Sequence, residues 1–398
     1  MIKQKIKIRN LKFEIRNFNK KGAALLVVLF VVMAITILSL GFLSRSDVEL
    51  ACGQNMILRT QMDYLAESGL QHAKGLILNP QDVEQEYWTG ATGQQLVAGS
   101  DNYYDVVVVR DDSDLVNRCN YIIDCNSYRL KGGEEVGRSS LRAELRLDPC
   151  IALWTGSITT ILSNIKINGD VYCDNNLTIV GIVNGDVFAA GSITGSGSVA
   201  GQKNAFVPFP PVGSPGLVCS DFSSQYYYDG SGPYLVQTLS DPNYDSWFPE
   251  PGSNNPACVY YRNGDLDLCG DIDITGMVVV THDLRLKQNC NLTIVAVKDF
   301  PALLVGHDIK TESDKQSLTV AGLAQVDNRI DMRSKPGSCI NVMGALCIGG
   351  DGITNTAGCT VKITAFPDKA ALEIWPTAST AKRWTPAAGA FFKSIQRK

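Results

Sequence analysis

The sequence predicts an α+β protein in which a long N-terminal transmembrane and stem helix precedes a small antiparallel sheet and then a parallel β-solenoid. Three observations predict these parts. The run from Ala23 to Leu43 carries no charge. Segments rich in β-branched and aromatic residues occupy about residues 100–148, and short apolar strands punctuated by Gly, Asn and Asp repeat from about Ser157 onward.

The uncharged run is long enough to cross a membrane as a helix, since it spans roughly 30 Å at about 1.5 Å per residue. A cleaved secretory signal usually holds only ~7–15 apolar residues and ends at a small-x-small site, which "LGFLSRSD" lacks. Basic residues before the run, together with Asp47 and Glu49 after it, predict a single pass with the N-terminus inside and the C-terminus outside. A permanent membrane anchor is one hypothesis that these facts leave open.

The charge distribution argues against a nucleic-acid partner. Residues 1–21 hold eight of the 36 Lys and Arg residues and one of the 40 Asp and Glu residues, so 28 basic and 39 acidic residues remain. This acidic remainder would be repelled by a phosphate backbone.

The helix is predicted to continue well past the membrane. Pro80 is the first proline, so nothing in the sequence breaks a helix between Ala23 and Leu78. Apolar residues recur at helical spacing beyond Leu43, which predicts a half-buried stem rather than a flexible linker. These residues are Val48, Ala51, Leu58, Met62, Leu65, Gly69, Ala73 and Leu76.

Two sets of internal repeats predict the solenoid. The pattern "INGDV" at 167–171 recurs as "VNGDV" at 183–187, sixteen residues later. Residues 263–286 divide into four hexads, NGDLDL, CGDIDI, TGMVVV and THDLRL. Three hexads would make one turn of the solenoid, and its aliphatic side chains would stack on those of the next turn. The predicted stacked pairs are Asp265 over Asp283, Leu266 over Leu284 and Leu268 over Leu286.

A stretch rich in proline and aromatic residues interrupts these repeats, and an aromatic C-terminal stretch is predicted to cap the last turn. The many aromatic residues, as in "QYYYDGSGPY", favour an ordered insert over disorder. The predicted divisions are a leader at 1–22, the transmembrane and amphipathic helix at 23–79, a small β domain at 80–150, the first part of the solenoid at 151–201, the insert at 202–258, the second part of the solenoid at 259–365 and the cap at 366–398.

The acidic hexads raise two chemical hypotheses, calcium binding and carbohydrate cleavage. Asp265, Asp267 and Gly270 begin like an EF-hand loop, but Cys269 and Gly276 stand where its third and last ligands belong. Clustered outward carboxylates suit a carbohydrate-active site, yet they equally suit a solvated solenoid face, so the sequence predicts no catalytic residue, no metal ligand and no cofactor. The outward carboxylates would be those of Asp265, Asp267, Asp271 and Asp273.

All 12 cysteines, from Cys52 to Cys359, follow the apolar run and so lie on its exported side. An even number there permits disulfides, and the lack of a C-x-x-C pair gives a redox or zinc site little support. Cys119 and Cys125 flank a short polar break and are the candidate local disulfide. The other cysteines could equally be small buried hydrophobes.

The junction "KKGAALLVVLF" resembles the class III signal of type IV pilins and pseudopilins. The resemblance implies cleavage between Gly22 and Ala23 by a prepilin peptidase, often with methylation of the new N-terminus at Ala23. It also implies storage in the bacterial inner membrane, followed by assembly with other pilin or pseudopilin subunits into a periplasmic or cell-surface filament.

The closer likeness is to the PilX-type minor pilins and the K-type pseudopilins of type II secretion. Major pilins carry Glu at the fifth mature position, where this chain has Val27. The block "ACGQNMILRTQMDYLAESGLQHAKGLI" resembles the PilX-type helix pattern, and the solenoid resembles bactofilin-like repeats in style. The residues that match the helix pattern are Gly53, Asn55, Ala66, Glu67, Gly69, Leu70 and Ala73.

The resemblance implies a structural, non-enzymatic minor subunit that joins or initiates a filament and displays its solenoid, where a surface or polysaccharide ligand could bind. A second hypothesis stays open, namely a membrane-anchored surface β-solenoid protein with an adhesive or carbohydrate-active role and no filament. The filament hypothesis predicts that residues 1–22 are removed, whereas the anchor hypothesis predicts that they are retained.

Overall fold

The computed structural model describes residues 20–78, 87–111, 119–157, 159–228, 231–332, 336–355 and 358–398, with side chains from Ala24 onward. The chain divides into two compact units, Met1–Gln61 and Met62–Lys398. A long apolar N-terminal helix precedes a sheet-rich part with parallel strands, which agrees with the predicted α+β class. Residues 1–19 of the predicted leader lie outside the described residues.

Helix α1, Lys20–Leu78, runs without a break for 59 residues. In the first unit, every side chain from Ala24 to Ile57 is exposed, including the apolar ones. One segment of this helix is long and apolar enough to cross a membrane. A helix segment that is apolar on all sides suits lipid rather than water, so this segment fits membrane anchoring.

The second unit begins with the last part of α1 and a five-stranded antiparallel sheet, called here the small sheet. Its strands are β1 (Gly90–Gln94), β2 (Asn102–Arg110), β3 (Asn120–Lys131), β4 (Glu134–Leu147) and β34 (Ala390–Arg397). They lie in the order β1-β2-β3-β4-β34, so the strand that completes the sheet comes from the C-terminus of the chain. The predicted cap at 366–398 therefore differs from the structure, because the last strand of that segment joins the small sheet.

Most of the remaining chain forms a stack of parallel strands, called the parallel stack, in which successive windings pair along ladders. The apolar ladder contains, in spatial order, β17 (Gln237–Thr238), β19 (Val259–Arg262), β22 (Met277–Val280), β25 (Leu303–Val305), the ends of β27 (Ser317–Val326) and β29 (Cys339–Ile348), then β5 (Ile151–Thr155), β8 (Asp170–Cys173), β11 (Val187–Ala189) and β14 (Lys203–Asn204).

Two further long ladders and one short ladder complete the parallel stack. The charged ladder contains β18 (Asn243–Asp245), β20 (Leu266–Cys269), β23 (Leu284–Leu286), β26 (Asp308–Thr311), β28 (Arg329–Met332) and β30 (Gly352–Asn355). The third ladder contains β21 (Asp271–Thr275), β24 (Asn291–Val295), the starts of β27 and β29, β31 (Thr360–Ala365), β7 (Ile165–Asn168), β10 (Ile182–Asn184) and β13 (Ser198–Val199). The short ladder contains β6 (Thr159–Ile161), β9 (Leu177–Ile179) and β12 (Ile193–Thr194).

The chain enters the parallel stack in the middle. Strand β5 pairs with β8 on one side and with β29, which comes much later in the sequence, on the other. The first windings proceed from β5 to β14 at one end of the apolar ladder. The chain then resumes at β17, at the opposite end, and winds back until β31 pairs with β7. The first and last windings are therefore neighbours.

The predicted register is confirmed where the hexads are strict. Leu266 pairs with Leu284 and Leu268 pairs with Leu286, which is the register that a turn of three hexads requires. Farther along the charged ladder, beyond the strict hexads, loops of greater and varying length join the strands. These loops do not disturb the buried aliphatic pairs, which are Leu284↔Ile309, Ile309↔Ile330 and Ile330↔Ile353.

The insert and a C-terminal hairpin cover the outer side of the apolar ladder. Phe222 and Tyr226 from the insert and Leu372 from the hairpin share one buried cluster with Val279 and Leu304 of the ladder. Strands covered on both sides need consecutive apolar residues, which explains "MVVV" in β22. The covering elements are a 3-10 helix (Cys219–Phe222), β15 (Gln225–Tyr228), β16 (Ser231–Leu235), α2 (Pro367–Ala370), β32 (Leu372–Thr377) and β33 (Thr380–Trp384).

Candidate functional site: the stem helix on the small sheet and the charged ladder

The end of α1 packs on the small sheet through a stripe of small and aliphatic residues. Ala66, Gly69, Leu70 and Ala73 are all buried, at the i, i+3, i+4 and i+7 spacing of one helix face. Glu67 lies on the opposite face and is exposed. The matched helix pattern thus supplies a packing face plus one exposed carboxylate.

Gly69 marks the closest approach of the helix to the sheet. A Cβ atom at this position would lie 2.4 Å from Sγ of Cys125 and 2.9 Å from Cδ2 of Tyr104. Real Cβ atoms do not approach other heavy atoms so closely, and the two neighbours belong to adjacent strands. Glycine therefore lets the helix axis lie near the strands, where the flanking alanines also fit.

Two hydrogen bonds and an ion pair also hold the helix on the small sheet. Ser127 Oγ donates a hydrogen bond to the carbonyl oxygen of Met62 over 2.7 Å, and Ser139 Oγ donates to Oδ1 of Asp63 over 2.6 Å. Arg397 of β34 lies 2.5 Å from the other carboxylate oxygen of Asp63. Because these groups come from distant parts of the chain, no local pattern could have predicted them.

The predicted cleavage residues, Gly22 and Ala23, lie within α1 two and three residues after its first residue, Lys20.

The predicted disulfide between Cys119 and Cys125 is wrong. Both thiols are free and buried. The two residues are separated by the extended chain of β3, which covers about 20 Å over six residues. A disulfide needs Cα atoms only about 4.4–6.8 Å apart, so this pair cannot form without unfolding the strand.

Cation–carboxylate contacts between windings organise the charged ladder. Arg285 of β23 lies beside the carboxylates of Asp265 and Asp267 in the preceding winding, and its Nη2 lies 3.2 Å from Oδ2 of Asp283. Lys310 of β26 reaches the same Asp283 oxygen over 2.6 Å. The signal was present in the hexads, since "THDLRL" carries Arg at the outward place where "NGDLDL" carries Asp.

Asp283 is the centre of this network. Burial alone would raise the pKa of its carboxyl group, but hydrogen bonds from Lys310, His307 and Arg285 outweigh burial and hold the pKa well below its usual value. Its side chain is only 8% exposed. The carboxylate therefore stays charged over a wide pH range, which suits a structural ion pair better than a general acid.

In the described residues, the acidic hexads give no geometric support to calcium binding or to carbohydrate cleavage. Asp267 lies within strand β20 and pairs with Arg285, so the chain there is extended and is not an EF-hand loop. Among the described residues, Asp283, His307 and Asp308 bring ligand-type atoms within 4.8 Å of one another. Lys310 lies 2.6 Å from Asp283 and 3.3 Å from Asp308, so an ammonium group already neutralises the site that a cation would occupy.

No protein-family model and no curated protein matches this chain. Among solved structures, the crystal structure of the competence-associated pilin ComZ from Thermus thermophilus aligns with 85% of this chain and 97% of that chain, at 11% identity and a TM-score of 0.26. That score is too low to support an argument about fold or function. The interpretation of this chain therefore depends on its own helix, small sheet and parallel stack.

Proposed function

We propose that the chain is a structural minor pilin of the PilX type, or a K-type pseudopilin, that joins or initiates a type IV pilus-like or type II secretion-like filament. The observation that carries the proposal is the continuity of α1. One helix of 59 residues passes from a fully exposed apolar segment to a segment packed on the small sheet. A simple anchor has no need of an unbroken helix that is shared by the membrane segment and the folded unit.

The exposed apolar segment would serve first as an inner-membrane span, with the N-terminus inside, and then as the packing surface between subunits. The prepilin peptidase would release residues 1–22 and leave Ala23 as the N-terminus, which is often methylated in such proteins. Val27 places no carboxylate in the bilayer, where insertion of a charge costs roughly 2.5–3.5 kcal/mol. A subunit without that carboxylate does not need the amino terminus of a neighbour to neutralise it, which favours a place at the filament tip.

The parallel stack would be a displayed β-solenoid. Its ladders bury Leu, Ile and Val at corresponding places in successive windings, and this is how solenoids gain stability from neighbouring repeats. The carboxylates of the charged ladder are engaged by Arg and Lys, so we assign them no catalytic role. The partners of the protein would be other pilin or pseudopilin subunits, the prepilin peptidase and the inner membrane, and a surface or polysaccharide ligand could bind the solenoid.

Labelling of isolated filaments tests this function. Antibody against the parallel stack, applied to filaments prepared from the producing bacterium, is expected to mark one end of each filament. Label along the whole length would contradict the tip position while keeping the filament role. Filaments without label, together with a chain found wholly in the membrane fraction, would favour the membrane-anchored adhesive or carbohydrate-active protein instead.

A further inference from the structure

Two phenylalanine side chains project into solvent just after the last winding at the β14 end of the apolar ladder. They lie in the segment Phe206–Pro211, called here the aromatic loop, and Phe206 and Phe209 are 73% and 79% exposed. Among the described residues of the second unit, no other large apolar side chain is as exposed. The chain returns to a buried position at Val212, which joins the cluster on the outer side of the apolar ladder.

The backbone of the aromatic loop is held in a strained turn. Phe206 adopts a left-handed conformation with a φ of 59°, which bulky residues rarely adopt. Its N–H donates a hydrogen bond to the carbonyl oxygen of Gly191 over 3.0 Å, and the N–H of Val207 donates to that of Ala189 over 3.0 Å. The exposure of Phe206 is therefore fixed by bonds to the preceding winding, and strain of this kind is typical of functional positions.

The aromatic loop offers almost no hydrogen-bond donors. Pro208, Pro210 and Pro211 have no N–H group, and those of Phe206 and Val207 are already bonded. Within this described segment, only the N–H of Phe209 has no hydrogen-bond partner. A protein partner would normally exchange hydrogen bonds across the contact, whereas hydrocarbon offers none. A loop with so few free donors therefore suits an apolar lipid layer better than a protein surface.

The charge distribution around the aromatic loop also suits a lipid surface. Residues 204–220 include no Asp, Glu, Lys, Arg or His, so no ionised group would have to leave water as the two rings enter the acyl boundary. Lys203, directly before this stretch, is exposed and can meet the phosphate of a lipid headgroup.

We propose that the aromatic loop docks the parallel stack on a lipid bilayer by inserting the side chains of Phe206 and Phe209 at the boundary between headgroups and acyl chains. The backbone of the loop stays at the level of the headgroups, as in other interfacial anchors. Binding is weak and reversible, because two side chains bury little apolar area compared with a membrane span. This inference goes beyond the proposed function, since it holds equally for a filament subunit and for a membrane-anchored surface protein.

Binding of vesicles to the nanodisc-held protein tests the proposal. The full-length protein is held in lipid nanodiscs by its apolar helix segment, and vesicles of phosphatidylethanolamine and phosphatidylglycerol are added in increasing amounts. Flotation measures the lipid concentration that binds half of the nanodiscs. We expect each of Phe206→Ser and Phe209→Ser to raise that concentration roughly tenfold, which corresponds to the loss of one partly buried ring. Empty nanodiscs should not float with the vesicles.

Trp247→Ser is the matched control, because it removes another exposed aromatic ring, which follows the strand at the opposite end of the parallel stack. This variant should bind vesicles as the wild type does. All variants should keep the thermal unfolding midpoint of the wild type, since the altered rings are exposed. Equal binding by the wild type and the two Phe variants would overturn the proposal. So would a wild type that binds no better than empty nanodiscs, which is the result expected if the loop contacts a protein instead.

A second arm measures insertion directly. Vesicles whose lipids carry bromine on the acyl chains quench a tryptophan that enters the bilayer. Phe209→Trp is expected to show quenching beyond that of the wild type, and a lack of additional quenching would overturn insertion of the loop. Neither arm involves leader cleavage or filament assembly, so a negative result here leaves the proposed function untouched.

Discussion

Nη1 of Arg110 lies 2.5 Å from Oδ2 of Asp368, and the two side chains are only 6% and 5% exposed. Arg110 ends β2 of the small sheet, whereas Asp368 lies in α2, just after the last winding of the parallel stack. The ring of Phe366 lies 4.0 Å from Cζ of Arg110, and the hydroxyl of Tyr121 donates to the same Asp368 carboxylate. This buried ion pair fastens the small sheet to the segment that leaves the parallel stack.

Asp368→Asn is expected to destabilise the second unit by about 3 kcal/mol, because it removes the countercharge of a buried guanidinium group. Urea unfolding followed by tryptophan fluorescence measures the change in the free energy of unfolding. Glu373→Gln is the matched control, since it weakens the more exposed ion pair with Arg383 and should cost less than about 1 kcal/mol. Equal losses in the two variants would contradict the role given to the buried pair.

Gly69→Ala should destabilise the packing of the helix on the small sheet by about 1–3 kcal/mol, because the added methyl group would overlap Cys125 and Tyr104. Gly75→Ala is the control on the same helix. Its Cβ would meet nothing within 4 Å, so the better helix propensity of alanine should raise stability by up to about 1 kcal/mol. Thermal unfolding of the two variants should therefore shift in opposite directions, and a gain in stability for Gly69→Ala would disprove the close approach.

Leu284→Ala should lower the free energy of unfolding by about 2–5 kcal/mol, because Leu284 is completely buried between Leu266 and Ile309 of neighbouring windings. Val199→Ala, in the outermost winding, should cost much less because that residue is only half-buried. Denaturant unfolding gives both values. A similar cost at the two positions would argue against stability that comes from stacking between windings.

The lowered pKa of Asp283 predicts that the folded protein loses stability in acid. Its carboxyl pKa is lowered in the folded protein from an ordinary value of 3.8. Such a group contributes stability that is fully present above its unfolded pKa and is lost as the pH falls through that value toward the folded one. Asp283→Asn, which cannot titrate, should therefore be less stable than the wild type at pH 7, with the difference shrinking between about pH 4 and pH 2. A difference that stays constant over that range in urea titrations would exclude this ionic contribution.

The sequence predicts the parts of this fold whose patterns are local. The helix follows from an uninterrupted apolar periodicity, and the pairing of Leu266 with Leu284 follows from hexads that are contiguous in the sequence. The order of the windings could not be predicted in this way. The pairing of β31 with β7 joins Val361 to Ile165, which lie far apart in the chain, and nothing in either strand specifies its neighbour.

In the candidate sites, too, features with a local sequence pattern could be predicted and long-range contacts could not. The buried face of Ala66, Gly69, Leu70 and Ala73 could be inferred from helical spacing, whereas the contact of Asp63 with Arg397 depends on the last strand of the chain joining the small sheet. For the cysteines, a local sequence pattern led to a wrong prediction. Nearness in sequence favoured Cys125 as the partner of Cys119, but the extended chain of β3 carries the two cysteines apart.

The intact mass of the chain recovered from bacterial membranes tests the central claim most directly, because a pilin-like subunit is defined by the processing of its leader. We expect the mass of residues 23–398, with or without one methyl group at Ala23, and a Gly22→Leu variant that retains the full mass of residues 1–398. A wild-type chain that keeps residues 1–22 in cells with an active prepilin peptidase would contradict the claim and leave a permanent membrane anchor.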